Sequence, residues 1–143
     1  KKDPTIPFNF FSEESSGTIH LFTIFPTILE VIKNNKFVLF DELEAHLHPH
    51  IINFLLKLFN KSNSAQLLFA THNTFLLDLK KFRKDQILFC NKKEDASTEV
   101  YSLYDFSDFR ETMDVEKAYL NGRFDAIPYL NDSDEKLEQL INE

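Results

Sequence analysis

The sequence predicts an α/β domain in which helices flank a parallel sheet. Two apolar runs, residues 37–40 and 66–70, are each bounded by polar residues, which is typical of strands buried on both faces of a parallel sheet. Between them, residues 50–61 carry apolar side chains at the spacing of a largely buried helix. Because a strand–helix–strand unit makes a right-handed crossover, we expect the two strands to pair in parallel.

The segment before the first strand predicts a lead-in, a polar loop and a helix. Two prolines predict an irregular lead-in over residues 1–11, and a polar loop follows at residues 12–18. Residues 19–33 then show helical spacing of apolar side chains. Pro26 interrupts this pattern, so we expect a kink or a break between two short helices there.

The segment after the second strand predicts a further helix, a hairpin and two C-terminal helices. Residues 73–81 have the pattern of a helix with Asn73 as its N-cap. The runs at residues 86–91 and 98–104 flank a polar turn, which predicts a hairpin at the edge of the sheet. The last two helices are predicted at residues 114–120 and 134–141.

Length, charge and cysteine content limit the classes of function. A length of 143 residues predicts one domain covering residues 1–143. The net charge of −7 argues against a large nucleic-acid interface. Cys90 is the only cysteine, so no internal disulfide can form, which fits a reducing cytosol. No apolar stretch is long enough to span a bilayer, and we expect a cytoplasmic protein without a membrane partner.

The chain has one cluster of basic residues, near the end of the helix predicted at residues 73–81. It consists of Lys80, Lys81, Arg83 and Lys84. Cations in the last turn of a helix are favoured by the helix dipole. We therefore interpret this cluster as a solvated helix end, in preference to a nucleic-acid patch.

The strongest candidate for chemistry is the pair of carboxylates at the end of the first strand, Asp41 and Glu42. Open parallel sheets bind ligands at the carboxyl ends of their strands. Neighbouring residues of an extended chain point in opposite directions, so the two carboxylates can take different roles. Asp41 is placed to hold magnesium, and Glu42 to activate water. The structural alternative is a solvated loop that begins with two acids.

A histidine follows the neighbouring strand, within the sequence Thr71-His72-Asn73. Because parallel strands end at the same edge of a sheet, we expect His72 to face the two carboxylates. There it can contact a terminal phosphate or the attacking water. The alternative is a histidine in a helix-capping loop.

A third candidate is the segment Ser15-Ser16-Gly17-Thr18, which comes just before a predicted helix. Amides at a helix start, together with hydroxyl groups, bind anions, and Gly17 allows the backbone to approach a phosphate closely. An ordinary capping loop is the alternative. Gly17 and Gly122 are the only glycines, so a glycine-rich phosphate loop must lie outside this chain if the protein binds nucleotide.

These three segments, in this order, resemble the second half of an ABC-type ATPase head, from the branch that includes the SMC, RecF and OLD-like ATPases. Residues 41–49, Asp-Glu-Leu-Glu-Ala-His-Leu-His-Pro, are similar to the D-E-(apolar)-E-x-x-L-H-P run of OLD-like and AAA15-type ATPases. Residues 119–128 resemble a tail motif of the AAA15 group. The implied fold is the C-terminal portion of a P-loop NTPase (ABC-type head).

The resemblance implies ATP hydrolysis with Mg²⁺ as part of a larger ATPase. Asp41 corresponds to the Walker B carboxylate that supports magnesium, and Glu42 to the catalytic base. Ser15 and Gly17 correspond to the signature loop, which closes on ATP of the opposite subunit in a nucleotide-sandwiched homodimer. His72 corresponds to the switch histidine near the γ-phosphate. The resemblance further implies an upstream phosphate loop, DNA or RNA contacts outside this chain, and a role in DNA maintenance or phage defence.

Three histidines at alternate positions, His46, His48 and His50, raise the alternative of a transition-metal site. Pro49 begins the next helix and so separates the directions of their rings. The resemblance instead identifies residues 43–49 with the D-loop, which crosses the dimer interface, and we favour that interpretation.

Two other classes of function stand beside the ATPase. A non-catalytic module that dimerises in response to nucleotide would keep the same loop and carboxylates. A metal-dependent nuclease would use Asp41, Glu42 and the histidines together with a further acid, such as Asp78 or Asp85. Arg123 suits either a phosphate contact or a structural or interface role, and we favour the second.

Overall fold

A computed structural model describes residues 9–93, 95–110, 112–128 and 134–142. The first eight residues of the predicted lead-in, and Glu94 in the turn of the predicted hairpin, lie outside these ranges. Contacts between residues divide the chain into two compact units, Lys1–Asn73 and Thr74–Glu143. The single domain over residues 1–143 stays a prediction.

The described part of the first unit holds three helices and two parallel strands. They are α1 (Phe10–Glu13), α2 (Ser16–Lys33), β1 (Phe37–Asp41), α3 (Pro49–Asn60) and β2 (Gln66–Ala70). In the parallel pair, Phe37 of β1 lies opposite Gln66 of β2, and Asp41 opposite Ala70. The predicted strand–helix–strand unit and its parallel pairing are therefore confirmed.

Helix α2 is a single helix that contains Pro26, so the predicted break between two short helices was wrong. A proline removes one backbone hydrogen bond and crowds the preceding turn. The helix nevertheless has a buried face on both sides of the proline, formed by Ile24, Ile28 and Val31. Packing of this face therefore outweighs the local effect of the proline.

The β1–β2 sheet buries only one of its faces, which corrects the prediction of strands buried on both. Phe37 and Leu39 of β1 are 57% and 61% exposed, and Leu68 of β2 is 45% exposed. Val38 and Phe40 alternate with them and are half-buried. Because successive strand residues point to opposite faces, the two strands expose one continuous apolar surface.

The second unit is built around an antiparallel hairpin with an aromatic core. Strands β3 (Leu88–Lys92) and β4 (Thr98–Ser102) pair with Leu88 opposite Ser102, which confirms the hairpin. Its predicted place at the edge of the parallel sheet was wrong, because β3 and β4 form a two-stranded sheet of their own. Helices α4 (Val115–Leu120) and α5 (Asp134–Asn142) lie where helices were predicted. The buried core of this unit consists of Ile87, Phe89, Leu103, Phe109, Val115 and Phe124.

The helix predicted at residues 73–81 was wrong, because this segment contains one 3₁₀ turn, Thr74–Leu76, followed by other turns. Asp78 accepts a hydrogen bond from the backbone nitrogen of Lys80 at 2.8 Å, and such local bonds compete with helix formation. Asn73 consequently caps no α-helix. The apolar residues Leu77, Leu79 and Phe82 pack against the core of the second unit.

The segment that resembles a tail motif, residues 119–128, folds against the hairpin. The Phe124 ring is buried and stacks on Phe89 with 4.7 Å between ring centroids. Gly122 has a φ of +76°, a left-handed conformation that favours glycine at this turn. Arg123 pairs with Asp108 at 2.6 Å, an arrangement consistent with the structural role favoured from the sequence.

Candidate functional site

Asp41 and Glu42 lie at the carboxyl end of the parallel strand pair, and both are exposed. Asp41 is the last residue of β1, opposite Ala70. The amide nitrogen of Glu42 donates a hydrogen bond to the carbonyl oxygen of Ala70 at 3.1 Å. Glu42 has a φ of +48°, so the chain turns here through a left-handed residue. The extended conformation expected from the sequence for this pair therefore ends at Asp41, and Glu42 already belongs to the turn.

His72 lies beside Glu42 at this edge of the sheet. Its Nε2 atom is 3.9 Å from Oε1 of Glu42. The side chain of His72 is 92% exposed and that of Glu42 is 57% exposed. Contacts between exposed charged groups contribute little to folding stability. The closeness of His72 and Glu42 is therefore more relevant to a reaction at this edge than to the stability of the fold.

The loop that follows Glu42 is compact and anchored from inside the unit. The amide of Ala45 donates to the Glu42 carbonyl oxygen, and that of Leu47 to the Glu44 carbonyl oxygen, both at 2.9 Å. Leu43 and Leu47 are 1% and 8% exposed. Their burial holds the loop against the core, while His46 remains exposed.

Ser15 and Gly17 lie at the start of α2. The Ser15 hydroxyl accepts a hydrogen bond from the Thr18 amide at 3.2 Å and thereby caps the helix. A Cβ atom placed on Gly17 would lie 2.3 Å from the carbonyl oxygen of His46, which is closer than real Cβ contacts. Gly17 is thus needed for packing against the loop after Glu42, a role that differs from the phosphate approach suggested by the sequence.

Glu44 and Thr71 also lie at this site, and neither was identified as a functional candidate from the sequence. One oxygen of Glu44, Oε1, accepts hydrogen bonds from the Thr71 hydroxyl and from the His72 amide, the second at 3.2 Å. These contacts link the loop after β1 to the loop after β2. The sequence does contain a signal for this contact. Because β1 and β2 pair in parallel, Glu44 after β1 and Thr71 after β2 lie near the same edge of the sheet.

The edge of the sheet at Asp41 and Glu42 is better suited to magnesium than to a metal ion whose ligands all come from the protein. Within the described ranges, no group of three or more His, Cys, Asp or Glu side chains could hold a metal ion. Magnesium commonly uses one or two carboxylates together with water and substrate phosphates, so the exposed carboxylate of Asp41 fits it. The two further acids of the nuclease alternative have partners within the second unit, since Asp78 pairs with Lys81 and Asp85 pairs with Arg83.

The alternate histidines are not arranged as a metal site. The His48 Nδ1 atom accepts a hydrogen bond from the His50 amide at 3.2 Å, so His48 caps α3. The rings of His48 and His50 stack with 5.3 Å between their centroids. Helix capping therefore accounts for His48, and Pro49 occupies the first turn of α3, where proline is favoured.

The basic cluster of the second unit is largely occupied by contacts within that unit. Lys81 donates a hydrogen bond to the carbonyl oxygen of Phe75 at 2.9 Å. Arg83 pairs with Asp85 at 2.7 Å, and hydrogen bonding from Arg83 lowers the pKa of the Asp85 carboxyl. Lys84 donates to the carbonyl oxygen of Phe109. The interpretation of this cluster as a solvated helix end was wrong, because residues 73–81 form turns and Lys81, Arg83 and Lys84 contact groups of their own unit.

None of the helices that the structure describes combines the length and apolar character needed to cross a membrane.

Comparison with known protein families gives a match that spans most of the first unit and the start of the second. The family model described as “AAA domain, putative AbiEii toxin, Type IV TA system” matches residues 5–78, more than half of the 143-residue chain. Searches of curated proteins and of solved structures produced no match. The matched region contains Asp41, Glu42 and His72. The chain belongs to this family of AAA domains and, with it, to the P-loop nucleoside triphosphatases, a class that binds and hydrolyses nucleotides.

Proposed function

We propose that this chain is the C-terminal part of an ABC-type ATPase head of the OLD-like and AAA15-type branch, and that it contributes half of an ATP-hydrolysing site. The observation that carries the proposal is the distance of 3.9 Å between Glu42 and His72 at the carboxyl edge of two parallel strands. Membership of a P-loop family makes ATP the expected ligand at that edge.

Each residue of the edge has a distinct role in the proposed reaction, ATP and water to ADP and phosphate. Asp41 would hold Mg²⁺, an ion that would supply positive charge to the site when bound. Glu42 orients the attacking water and accepts its proton, and His72 contacts the terminal phosphate. Phosphoryl transfer depends mainly on positioning and charge stabilisation, which these exposed polar groups can provide.

The proposed partner is a second copy of the ATPase, with ATP between the two. Ser15 and Gly17 would contact the nucleotide of the opposite subunit, and residues 43–49 would cross the interface as the D-loop. Two observations support this arrangement. Ser15 and His46 are exposed, and the buried leucines of the loop hold it in place from inside the unit.

The open face of the β1–β2 sheet supports a larger ATPase. Parallel strands usually have both faces covered, but Phe37, Leu39 and Leu68 are exposed here. A P-loop also needs several glycines, whereas the chain has only two. We propose that the part of the ATPase that carries the phosphate loop covers this apolar face.

The proposed biological setting is phage defence or DNA maintenance in the cytoplasm, with DNA or RNA contacts outside this chain. The matching family is described by its likeness to a toxin of a toxin–antitoxin system, which favours defence. This step rests on family analogy, since one fold serves many functions.

The substitution Glu42→Gln, made in the ATPase that contains this chain, tests the proposal. We expect ATP binding to persist, hydrolysis to fall by about two to three orders of magnitude, and an ATP-bound dimer to accumulate. Nucleotide binding, phosphate release and light scattering measure these three properties.

The matched control is Glu30→Gln, which removes an exposed glutamate of the same unit that pairs with Lys36. This control should leave turnover unchanged. Normal turnover in Glu42→Gln would contradict the assignment of the base. ATP-dependent dimerisation of the wild type without hydrolysis would instead favour the non-catalytic module.

A further inference from the structure

We propose that Glu44 is a positioning residue that holds His72 beside Glu42. The inference rests on the proposed roles of His72 and Glu42 and adds a third residue to the same site. Its basis is a set of hydrogen bonds that connects the loop after β1 to the loop after β2.

The Glu44 carboxylate fixes the first residues beyond β2. Its Oε1 atom accepts hydrogen bonds from the Thr71 hydroxyl and the His72 amide. The Thr71 oxygen in turn accepts a hydrogen bond from the Asn73 amide at 2.9 Å. One carboxylate oxygen thus holds the backbone of Thr71, His72 and Asn73 in place, directly after the end of β2.

The position of the His72 ring depends on this anchoring of its backbone. The side chain is 92% exposed, so packing does not hold it. Within the described part of the chain, the polar neighbour of the ring is Glu42, at 3.9 Å. A shift of the backbone at residue 72 would therefore move the ring away from Glu42 directly.

Glu44 is itself held firmly enough to serve as an anchor. Its carbonyl oxygen accepts a hydrogen bond from the Leu47 amide at 2.9 Å, and the adjacent Leu43 is 1% exposed. Two residues further on, the His46 carbonyl packs against Gly17. The loop that carries Glu44 is therefore fixed on the side of α2 as well as on the side of β2.

The two carboxylate oxygens of Glu44 lie in different environments. The second carboxylate oxygen, Oε2, is buried and has no hydrogen-bond partner among the described residues. Burying a polar atom without a partner is unfavourable, whereas charge-assisted hydrogen bonds such as those of Oε1 are strong. The hydrogen bonds of Oε1 fix the loop after β2, as expected of a residue that positions a catalytic group.

Amide hydrogen exchange in the 143-residue chain provides a test that needs no nucleotide. In Glu44→Ala, the amides of His72 and Asn73 should exchange about tenfold faster, because their anchor is lost. Glu44→Gln retains a carbonyl oxygen that accepts the same hydrogen bonds, so exchange should stay close to wild type. Glu30→Gln serves as the control, since its carboxylate pairs with Lys36 at the surface.

Kinetics of the ATPase that contains this chain provide the second test. Misplacing a group that contacts the phosphate should lower kcat while leaving KM for ATP nearly unchanged. We expect a loss in kcat of about tenfold or more for Glu44→Ala and substantial recovery in Glu44→Gln. Recovery by glutamine distinguishes positioning from a direct role of the charge.

Three results would overturn the inference. The first is unchanged exchange at His72 in Glu44→Ala. The second is an equal loss of kcat in Glu44→Ala and Glu44→Gln while the His72 and Asn73 amides exchange as in the wild type. The negative charge of Glu44, and not its hydrogen bonds, would then support catalysis. The third is a normal kcat in Glu44→Ala. An ATPase without any turnover would contradict the proposed function alone, since the exchange experiment would still test the position of His72.

Discussion

At the scale of single residues, the loop after β1 combines left-handed conformations with firm anchoring. Glu42 and His46 have φ values of +48° and +61°, which are unfavourable for residues that carry a Cβ atom. Burial of Leu43 and Leu47 offsets that cost. Strained residues often lie at functional sites, and here Glu42 is also the residue proposed to activate water.

Gly17→Ala should reveal the tight contact between α2 and this loop. Replacing glycine by alanine within a helix usually raises stability by roughly 0.5–1 kcal/mol. At Gly17 the added Cβ would meet the His46 carbonyl oxygen at 2.3 Å, so we expect a decrease of about 1–3 kcal/mol in the free energy of unfolding. Chemical denaturation followed by circular dichroism measures the change.

The control for Gly17→Ala is Thr27→Ala, at an exposed position of the same helix. Its effect should stay within about 0.5 kcal/mol. Equal or greater stability of Gly17→Ala relative to wild type would show that α2 and the loop can separate without cost.

At the scale of secondary structure, local pattern and packing compete, and packing decides the outcome in two elements. Helix α2 continues through Pro26 because its inner face is buried on both sides of the proline. The segment at residues 73–81 has a helical pattern but forms turns, because its apolar residues pack against the core of the second unit. The β1–β2 sheet, by contrast, leaves an apolar face open.

Leu39→Thr tests whether the open face of β1 is an interface. Leu39 is 61% exposed, and threonine retains a high preference for strands, so the fold of the chain should be preserved within about 0.5 kcal/mol. Self-association of the chain and binding of a hydrophobic dye should both decrease. In the ATPase that contains the chain, the same change should lower thermal stability, because the face would be buried there.

Leu120→Gln is the matched control, since Leu120 is 59% exposed and belongs to the second unit. It should leave the stability of the ATPase unchanged. If the two variants affect that stability equally, the exposed face of β1 has no special role in assembly.

At the scale of the whole molecule, the candidate chemistry is confined to the first of the two units. The family match at residues 5–78 spans most of this unit, and Ser15, Asp41, Glu42 and His72 all lie within the unit. The second unit has its own aromatic core, and Lys81, Arg83 and Lys84 of its basic cluster contact groups of the same unit. The first unit therefore carries the proposed half-site.

We expect the 143-residue chain to show no ATP turnover of its own. A phosphate loop requires several glycines followed by lysine and a hydroxyl residue, and only Gly17 and Gly122 are present. Phosphate release in the presence of ATP and Mg²⁺ measures this. Turnover that disappears in Glu42→Gln would contradict the prediction, whereas equal turnover in both proteins would indicate a contaminating ATPase.

The sequence by itself determined the elements that depend on short-range pattern. Continuous apolar runs predicted β1 and β2, the 3.6-residue spacing predicted the helix between them, and the crossover rule predicted their parallel pairing. From that pairing alone, Asp41, Glu42 and His72 could be placed at one edge of the sheet. The motif that follows β1 also indicated the P-loop class to which the chain belongs.

The tertiary structure alone decided the features that join residues distant along the chain. The hydrogen bonds of Glu44 reach 27 and 28 residues to Thr71 and His72, and the close approach of His46 explains why position 17 is glycine. Periodicity reports which face of an element is apolar, but it contains no information on what covers that face. For this reason the exposed side of β1, and the anchoring of His72 beside Glu42, became visible only in the folded chain.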